Sequence, residues 1–270
     1  AKWNCPDHIK KVMDRKIVKR TVMTIPYNAK PFSNRSYIRD ALREKGIEIE
    51  KDDLTATVQA VRDAMDRKFP GPMKVMKWIE NEINQAIYNG PYIIVKDESR
   101  PYKKALDENG EIIKNLYYSR VCYTHPGFTW ITPSGFVVHQ RIVKKHVQRF
   151  DLQLLGRCQL SVATEEKNEI DLARHKAATA PNLIHSLDAS LLHLAVIRFD
   201  NPIALIHDSV LCRATDMKEL SRIVRETYMY LFTEHEYLTE FASQIGADTE
   251  PPIIGDLEPE TVIDSTYFFC

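Results

Sequence analysis

The sequence predicts an α+β protein, mostly helical, and three observations carry that expectation. Residues 8–27, 53–69 and 73–88 read as helices. The middle of the chain changes to strand-like segments broken by glycine-containing turns. Helical character then resumes, interrupted by the stretch PIALIHDSVLCR (202–213).

Each element has a local reason. Residues 8–27 lack internal glycine and carry Pro26 near the C-terminal end, so one helix is expected. Asp52 or Asp53 would cap a second helix with Leu54, Val58, Val61, Met65 and Phe69 on one stripe. A third runs from Met73 towards Tyr88, with Met76, Ile79, Ile83 and Ile87 inward and Asn89-Gly90-Pro91 ending it. Asn109-Gly110 predicts a two-residue hairpin turn and Pro133-Ser134-Gly135 another turn. Strand-like segments around Leu155-Gly156 predict a basic hairpin over 147–164. From Glu169 the chain turns helical again, with Pro181 near the start of a long helix. In 202–213, two short apolar runs flank His207-Asp208-Ser209, which predicts a tight hairpin holding Asp208 at its tip. Asp216-Met217-Lys218-Glu219 has the form of a capping box opening a helix with Leu220, Ile223 and Leu231.

Of 270 residues, 44% are hydrophobic and 27% charged, with formal net charge zero, which is ordinary for a globular chain with a real core. The opening AKWNCPDHIKK is too polar for a secretion signal, and no apolar run reaches membrane-spanning length. Five cysteines without C-x-x-C pairing suit a reducing compartment. A soluble cytoplasmic protein is expected. The charge is segregated, however. From His8 to Arg35 there are eight cations (Lys10, Lys11, Arg15, Lys16, Lys19, Arg20, Lys30, Arg35) against Asp14. Arg141 to Arg157 holds five Lys/Arg against Asp151, whereas Glu226 to Cys270 holds ten Asp/Glu and no cation. Two basic surfaces for a polyanion fit this pattern, and so do plain solvated faces.

Chemistry gathers at few places. Arg15, Lys19, Met23 and Tyr27 recur every four residues and form one drifting helical stripe. Forked Arg and mobile Lys suit a triphosphate, and Tyr suits a base or sugar; an ordinary basic helix face has the same spacing. Asp208 could be half of a two-magnesium site, or a turn residue satisfying local amides. His185 and Asp188 share a helix face, as a ligand pair or as a hydrogen-bonded core histidine. Cys5 and His8 have no second pair at zinc spacing.

Three motifs in order, DRKIVKRTVMTIPYN (14–28), APNLIHSLD (180–188) and ALIHDSV (204–210), resemble the single-subunit RNA polymerases of bacteriophages and mitochondria. The likeness continues through ITPSGF (131–136), VRET (224–227) and DSTYFFC (264–270), and covers only the C-terminal portion of such a polymerase. The resemblance implies a right-hand polymerase fold. Residues 1–140 would be fingers, 141–170 a basic β-hairpin like the family's specificity loop, and 171–270 a palm portion with the His-Asp-Ser hairpin and C-terminal helices.

The resemblance also implies roles. Arg15 and Lys19 would hold the triphosphate, with Lys19 also donating a proton to the leaving pyrophosphate. Tyr27 would sit by the sugar and template base and select ribose, His185 would lie near the nascent base pair, and Asp208 would be the magnesium-binding catalytic aspartate. His207, Arg20, Met23 and Asn28 would support them. Arg149, Asp151, Arg157 and Gln159 would contact DNA bases. Asn28 stands where the family usually has glycine, and Pro26 is also a departure. Asn tolerates left-handed geometry better than most residues.

The implied activity is DNA-directed RNA polymerisation, a Mg2+-dependent nucleotidyl transfer, on DNA template, nascent RNA and ribonucleoside triphosphates. Accessory transcription factors would be further partners. The family's other catalytic aspartate precedes the Arg-Lys-Tyr helix, where this sequence offers only Asp7 and Asp14 in unlike surroundings. Either the sequence is a fragment of a longer polymerase or the enzyme is assembled from two chains. The expectation is a partner chain carrying the N-terminal part of the palm and that aspartate, as in a split, heterodimeric phage enzyme working in the infected bacterium. Two rival readings are a non-catalytic nucleic-acid-binding subunit and a His-Asp metal phosphohydrolase using His185, His207 and Asp208.

Overall fold

In the computed structural model, which describes residues 5–27, 29–152, 158–253 and 255–268, the basic N-terminal segment is two helices instead of one. The first, α1, spans Asp7–Val12 and the second, α2, Arg15–Thr24. The break falls at Asp14, whose backbone is extended and whose carboxylate accepts from the Ile17 amide at 3.1 Å. That cap satisfies a first-turn donor no helical carbonyl can reach. Hydrogen bonds from Lys45 and the Ile17 amide hold the Asp14 carboxyl below the usual carboxylate range.

A helix not anticipated from the sequence, α3 (Pro31–Arg43), follows, with Pro31 in its first turn. Then come α4 (Lys51–Lys68) and α5 (Pro70–Asn89). Asp52 and Asp53 lie inside the first turn of α4, where they complement the helix dipole without capping it; Glu50 holds the cap position. Leu54, Val58 and Val61 of α4 pack with Ile9, Ile17, Ile38 and Leu42 into one apolar cluster. Met65 is buried as expected, but Phe69 is 50% exposed because the helix stops before it. Met76, Ile79, Ile83 and Ile87 are buried along α5.

Among the described residues, four two-stranded sheets hold the strands. The longest joins β1 (Tyr92–Leu106) to β2 (Ile112–Tyr123), with Leu106 opposite Ile112. Its loop is five residues, longer than the Asn-Gly turn expected, because the Asp107 carboxylate accepts from the Asn109 and Glu111 amides and organises a wider turn. β3 (Phe128–Ile131) and β4 (Val137–Gln140) close on the Pro133-Ser134-Gly135 turn, where Gly135 has φ +80°. β5 (Val143–Leu152) pairs with β6 (Cys158–Ile170) as the basic hairpin. β7 (Ile203–Ile206) and β8 (Ser209–Cys212) meet at a two-residue turn.

One helix, α6 (Leu172–Ile197), runs through Pro181 instead of starting near it. Proline inside a helix ordinarily costs about 3 kcal/mol; here Ala180 and Leu183 on either side are buried, so packing outweighs local preference. The last long helices are α7 (Met217–Glu234) and α8 (Tyr237–Ile245). Asp216 precedes α7 but makes no capping bond, because its carboxylate is bound by Arg213 at 2.7 Å. Leu220, Ile223 and Leu231 are buried as expected. Among the described residues no helix is long and apolar enough to cross a membrane.

The chain divides into two compact units, one of residues 1–82, 129–138 and 176–270, the other of 83–128 and 139–175. Within the second, Glu169 of β6 is buried and accepts from Arg120 of β2 at 2.8 Å and from Lys144 of β5. Burial alone would raise its pKa, but the Lys144 and Arg120 hydrogen bonds outweigh that and hold the carboxyl below its usual range. His175 is fully buried in the same unit, and its Nε2 accepts from the Ile142 amide at 2.7 Å. Gly127 has φ +107°, and a Cβ there would come within 2.7 Å of the Gln140 carbonyl oxygen, so a side chain is excluded twice over.

Candidate active site

Three separate elements of the first unit bring Tyr27, His185 and His207-Asp208 together. α2 ends at Thr24, and the next turn is fixed by the Tyr27 and Ala29 amides donating to the Thr24 carbonyl at 3.2 and 3.0 Å. That turn lays the Tyr27 ring on His185 of α6, with centroids 4.7 Å apart and planes 26° from parallel. The His185 ring meets the edge of His207, centroids 6.4 Å apart and planes at 79°. α6 is fixed in turn through Ser186, whose hydroxyl lies 3.1 Å from the Trp130 indole nitrogen and 2.9 Å from the Tyr237 hydroxyl.

The hairpin presents its aspartate as the sequence predicts. His207 and Asp208 are the two central residues, and His207 has φ +57°. A left-handed residue at the first central position gives a turn that matches strand twist, a place glycine usually fills. Ile203, Val210 and Cys212 pack on Ala195, Phe199, Leu220 and Ile223, which anchors the hairpin to α6 and α7. Asp208 itself is open: its side chain is 81% exposed, and among the described residues it has only long contacts, to His207 Nδ1 (3.4 Å) and Ser209 Oγ (3.5 Å). Its oxygen lone pairs therefore remain free for a cation. Strands flank the His-Asp pair, not the helices that the phosphohydrolase reading would favour.

Asp188 joins this cluster, one helical turn beyond His185. The i, i+3 spacing carried that signal, but spacing alone could not show what the face looks onto. Solvent reaches Asp188, yet the surrounding protein displaces enough water to raise its pKa; the Asp208 carboxylate adds to the rise, against the imidazoles of His185 and His207. The Tyr27 hydroxyl is also pushed above its ordinary range, by burial first and then by the charges of Asp188 and Asp208. Two carboxylates and two imidazoles thus influence one another electrostatically, although among the described residues no three His, Cys, Asp or Glu side chains are grouped so as to hold a metal ion by themselves.

On α2, Arg15, Lys19 and Met23 are exposed, whereas Ile17 and Thr21 are buried. Arg15 and Lys19 make no ion pair with the described residues, so both are available to an anion. Arg20 differs: its guanidinium lies over the Tyr37 ring of α3 at 4.3 Å, an attachment between helices. Asn28 lies outside the described residues.

In the second unit, Arg149 and Asp151 alternate onto one face of β5, and Asp151 pairs across the hairpin with Gln159, whose amide donates to it at 3.3 Å. Arg157 lies outside the described residues.

Residues 3–254 match the sequence profile of DNA-dependent RNA polymerase. The chain is 28% identical over 268 residues to a DNA-directed RNA polymerase of Pseudomonas phage phiKMV, covering 96% of this chain and 28% of that protein. It is 27% identical to the DNA-directed RNA polymerase of Enterobacteria phage T3 over 95% of its length, and equally so to DNA-directed RNA polymerase 3, chloroplastic, of Nicotiana sylvestris. The chain spans only 24% to 29% of the length of these relatives.

Proposed function

The chain belongs to the DNA-dependent RNA polymerase family, and from that membership we propose that it supplies part of the active site for DNA-templated ribonucleotide polymerisation, completed by a partner chain. The observation that carries this reading is the convergence of Tyr27, His185 and Asp208, with the unpaired cations of α2 on the same helix that delivers Tyr27.

In the proposed reaction the RNA 3′-hydroxyl attacks the α-phosphate in line and pyrophosphate leaves. Arg15 and Lys19 hold the triphosphate, and Lys19 gives a proton to the departing pyrophosphate. Tyr27, backed by His185, orients base and sugar and discriminates against deoxyribose. Asp208 would hold magnesium through its exposed carboxylate, with further ligands from the partner chain and the phosphates, since no three His, Cys, Asp or Glu side chains of the described residues are grouped to hold the ion alone. Two bound magnesium ions would neutralise charge on the attacking and leaving oxygens. The protein's own share is positioning and fixed charge.

The partner chain supplies the other aspartate. The hairpin itself favours such a partner: Ala204, Ile206 and Leu211 alternate onto its outer face, and Ile206 and Leu211 are 62% and 54% exposed. A two-stranded hairpin is marginal alone, and an apolar outer face calls for cover. The test is to purify the tagged chain from its natural source and assay extension of a primed template. An equimolar second chain with Mg2+-dependent extension is expected. A solitary chain, or a complex that never extends RNA, overturns the reading.

A further inference from the structure

The longest hairpin has no role in this chemistry, yet its stem is built unlike a structural ribbon. β1 and β2 carry Lys96, Arg100, Lys103, Lys104, Lys114 and Arg120 against Asp97 and Glu98. The other acids, Asp107, Glu108 and Glu111, are confined to the tip. Asp97 and Glu98 are matched by Arg100 and Lys96, and Arg120 by Glu169. Lys103, Lys104 and Lys114 make no ion pair with the described residues, which leaves a net positive stem.

Aromatic rings are set among those cations. Tyr102 and Tyr118 lean on each other across the strands, centroids 4.9 Å apart and planes at 47°, and remain 53% and 57% exposed. Lys114 shares the Tyr118 face of β2, and Lys103 pairs opposite Leu116 between them. The register shift between Pro101 and Lys103 brings Tyr102 to Tyr118. Large exposed rings flanked by unpaired lysines are poor surface for a protein core but good surface for unpaired bases, which stack on rings while lysines follow the phosphates.

We propose that the Tyr102–Tyr118 platform with Lys103 and Lys114 docks single-stranded DNA. Positive charge selects a polyanion, and exposed rings select one whose base faces are free, which a duplex does not offer. The choice of DNA over RNA rests on the templated reading above, since a template must present unpaired bases. The acidic tip would repel phosphates, so the strand lies along the stem and not over the loop.

The test is binding of the full chain to fluorescent dT12, rU12 and a 12-base-pair duplex. Tyr102→Ser with Tyr118→Ser should weaken dT12 binding about tenfold or more and leave duplex binding unchanged. The matching Phe pair, which keeps the rings, should bind as the parent does. Removing Lys103 and Lys114 should lower the salt slope for dT12 by about 0.7 for each phosphate no longer neutralised. Should the Ser pair fail to fold, cross-link mapping of the unaltered chain with iododeoxyuridine-substituted dT12 decides: adducts at Tyr102 or Tyr118 support the proposal, and adducts only elsewhere overturn it. Unchanged dT12 binding by a folded Ser pair, or equal losses for single strand and duplex, overturns it as well. Tyrosine-dependent binding tighter for rU12 than dT12 overturns the assignment to DNA. Neither assay reads nucleotide addition, so failure of the catalytic reading would leave these results standing.

Discussion

Tyr27 and His185, 158 residues apart in sequence, stack with centroids 4.7 Å apart. That contact joins the turn after the cationic helix α2 to the middle of α6, whose His185 also meets the ring of His207 beside Asp208. Substitutions at this junction should therefore change chemistry, whereas substitutions at the buried charges elsewhere should change stability.

Asp208→Asn should reduce nucleotide addition at least about a hundredfold in the complete complex, the scale expected when a preorganised charge is removed. Its side chain is 81% exposed, so unfolding temperature and assembly should be unchanged. Near-parental extension rates would remove Asp208 from the metal site.

Lys19→Ala should slow single-nucleotide incorporation by about a hundredfold or more. Lys19→Arg should keep triphosphate affinity while incorporation stays slow, because guanidinium holds its proton too tightly to donate it. Equal rates for the Arg variant and the parent would reduce Lys19 to a charge contact.

Tyr27→Phe preserves the ring on His185 and deletes the hydroxyl. Relaxed discrimination against deoxynucleotides, with ribonucleotide incorporation retained, is the expected result of competition assays. Unchanged selectivity would place the sugar gate elsewhere.

Burial lowers the His175 pKa to about 4 from an ordinary 6.5, and the neutral ring accepts from the Ile142 amide. The unfolded chain takes up the proton first on acidification. Stability is therefore complete above pH 6.5 and should fall as pH drops towards 4, by up to roughly 3 kcal/mol. Glu169 adds a second loss at lower pH, because its carboxyl is held below the usual range by Lys144 and Arg120. Urea unfolding across this range checks both: His175→Gln should flatten the upper part, and Glu169→Gln the lower.

His207→Val should destabilise the chain by about 1–2 kcal/mol, since φ +57° is costly for a β-branched residue. His207→Gly should be tolerated. Equal urea midpoints for the two variants would show that the turn does not depend on left-handed geometry.

Much of this was legible in the residues themselves. Two short apolar runs around His207-Asp208-Ser209 specified a two-stranded hairpin, because runs of that length broken by turn-forming residues read as paired strands. The stripe of Met76, Ile79, Ile83 and Ile87 likewise dictated a buried helix face. Three ordered motifs carried the family. Other features depended on partners far along the chain. Asp14 breaks the first helix, with Lys45 bound to its carboxylate; Pro181 stays inside α6 because its neighbours are buried; Asp216 gives up capping because Arg213 takes its carboxylate. Asp188 has its raised pKa from burial first and from the Asp208 carboxylate second, and both arise only when the chain packs. Periodicity, turn chemistry and side-chain type are local properties, so the elements and their chemical groups could be read along the chain. Which groups share an electrostatic neighbourhood could not, because burial and proximity arise only when distant segments pack together.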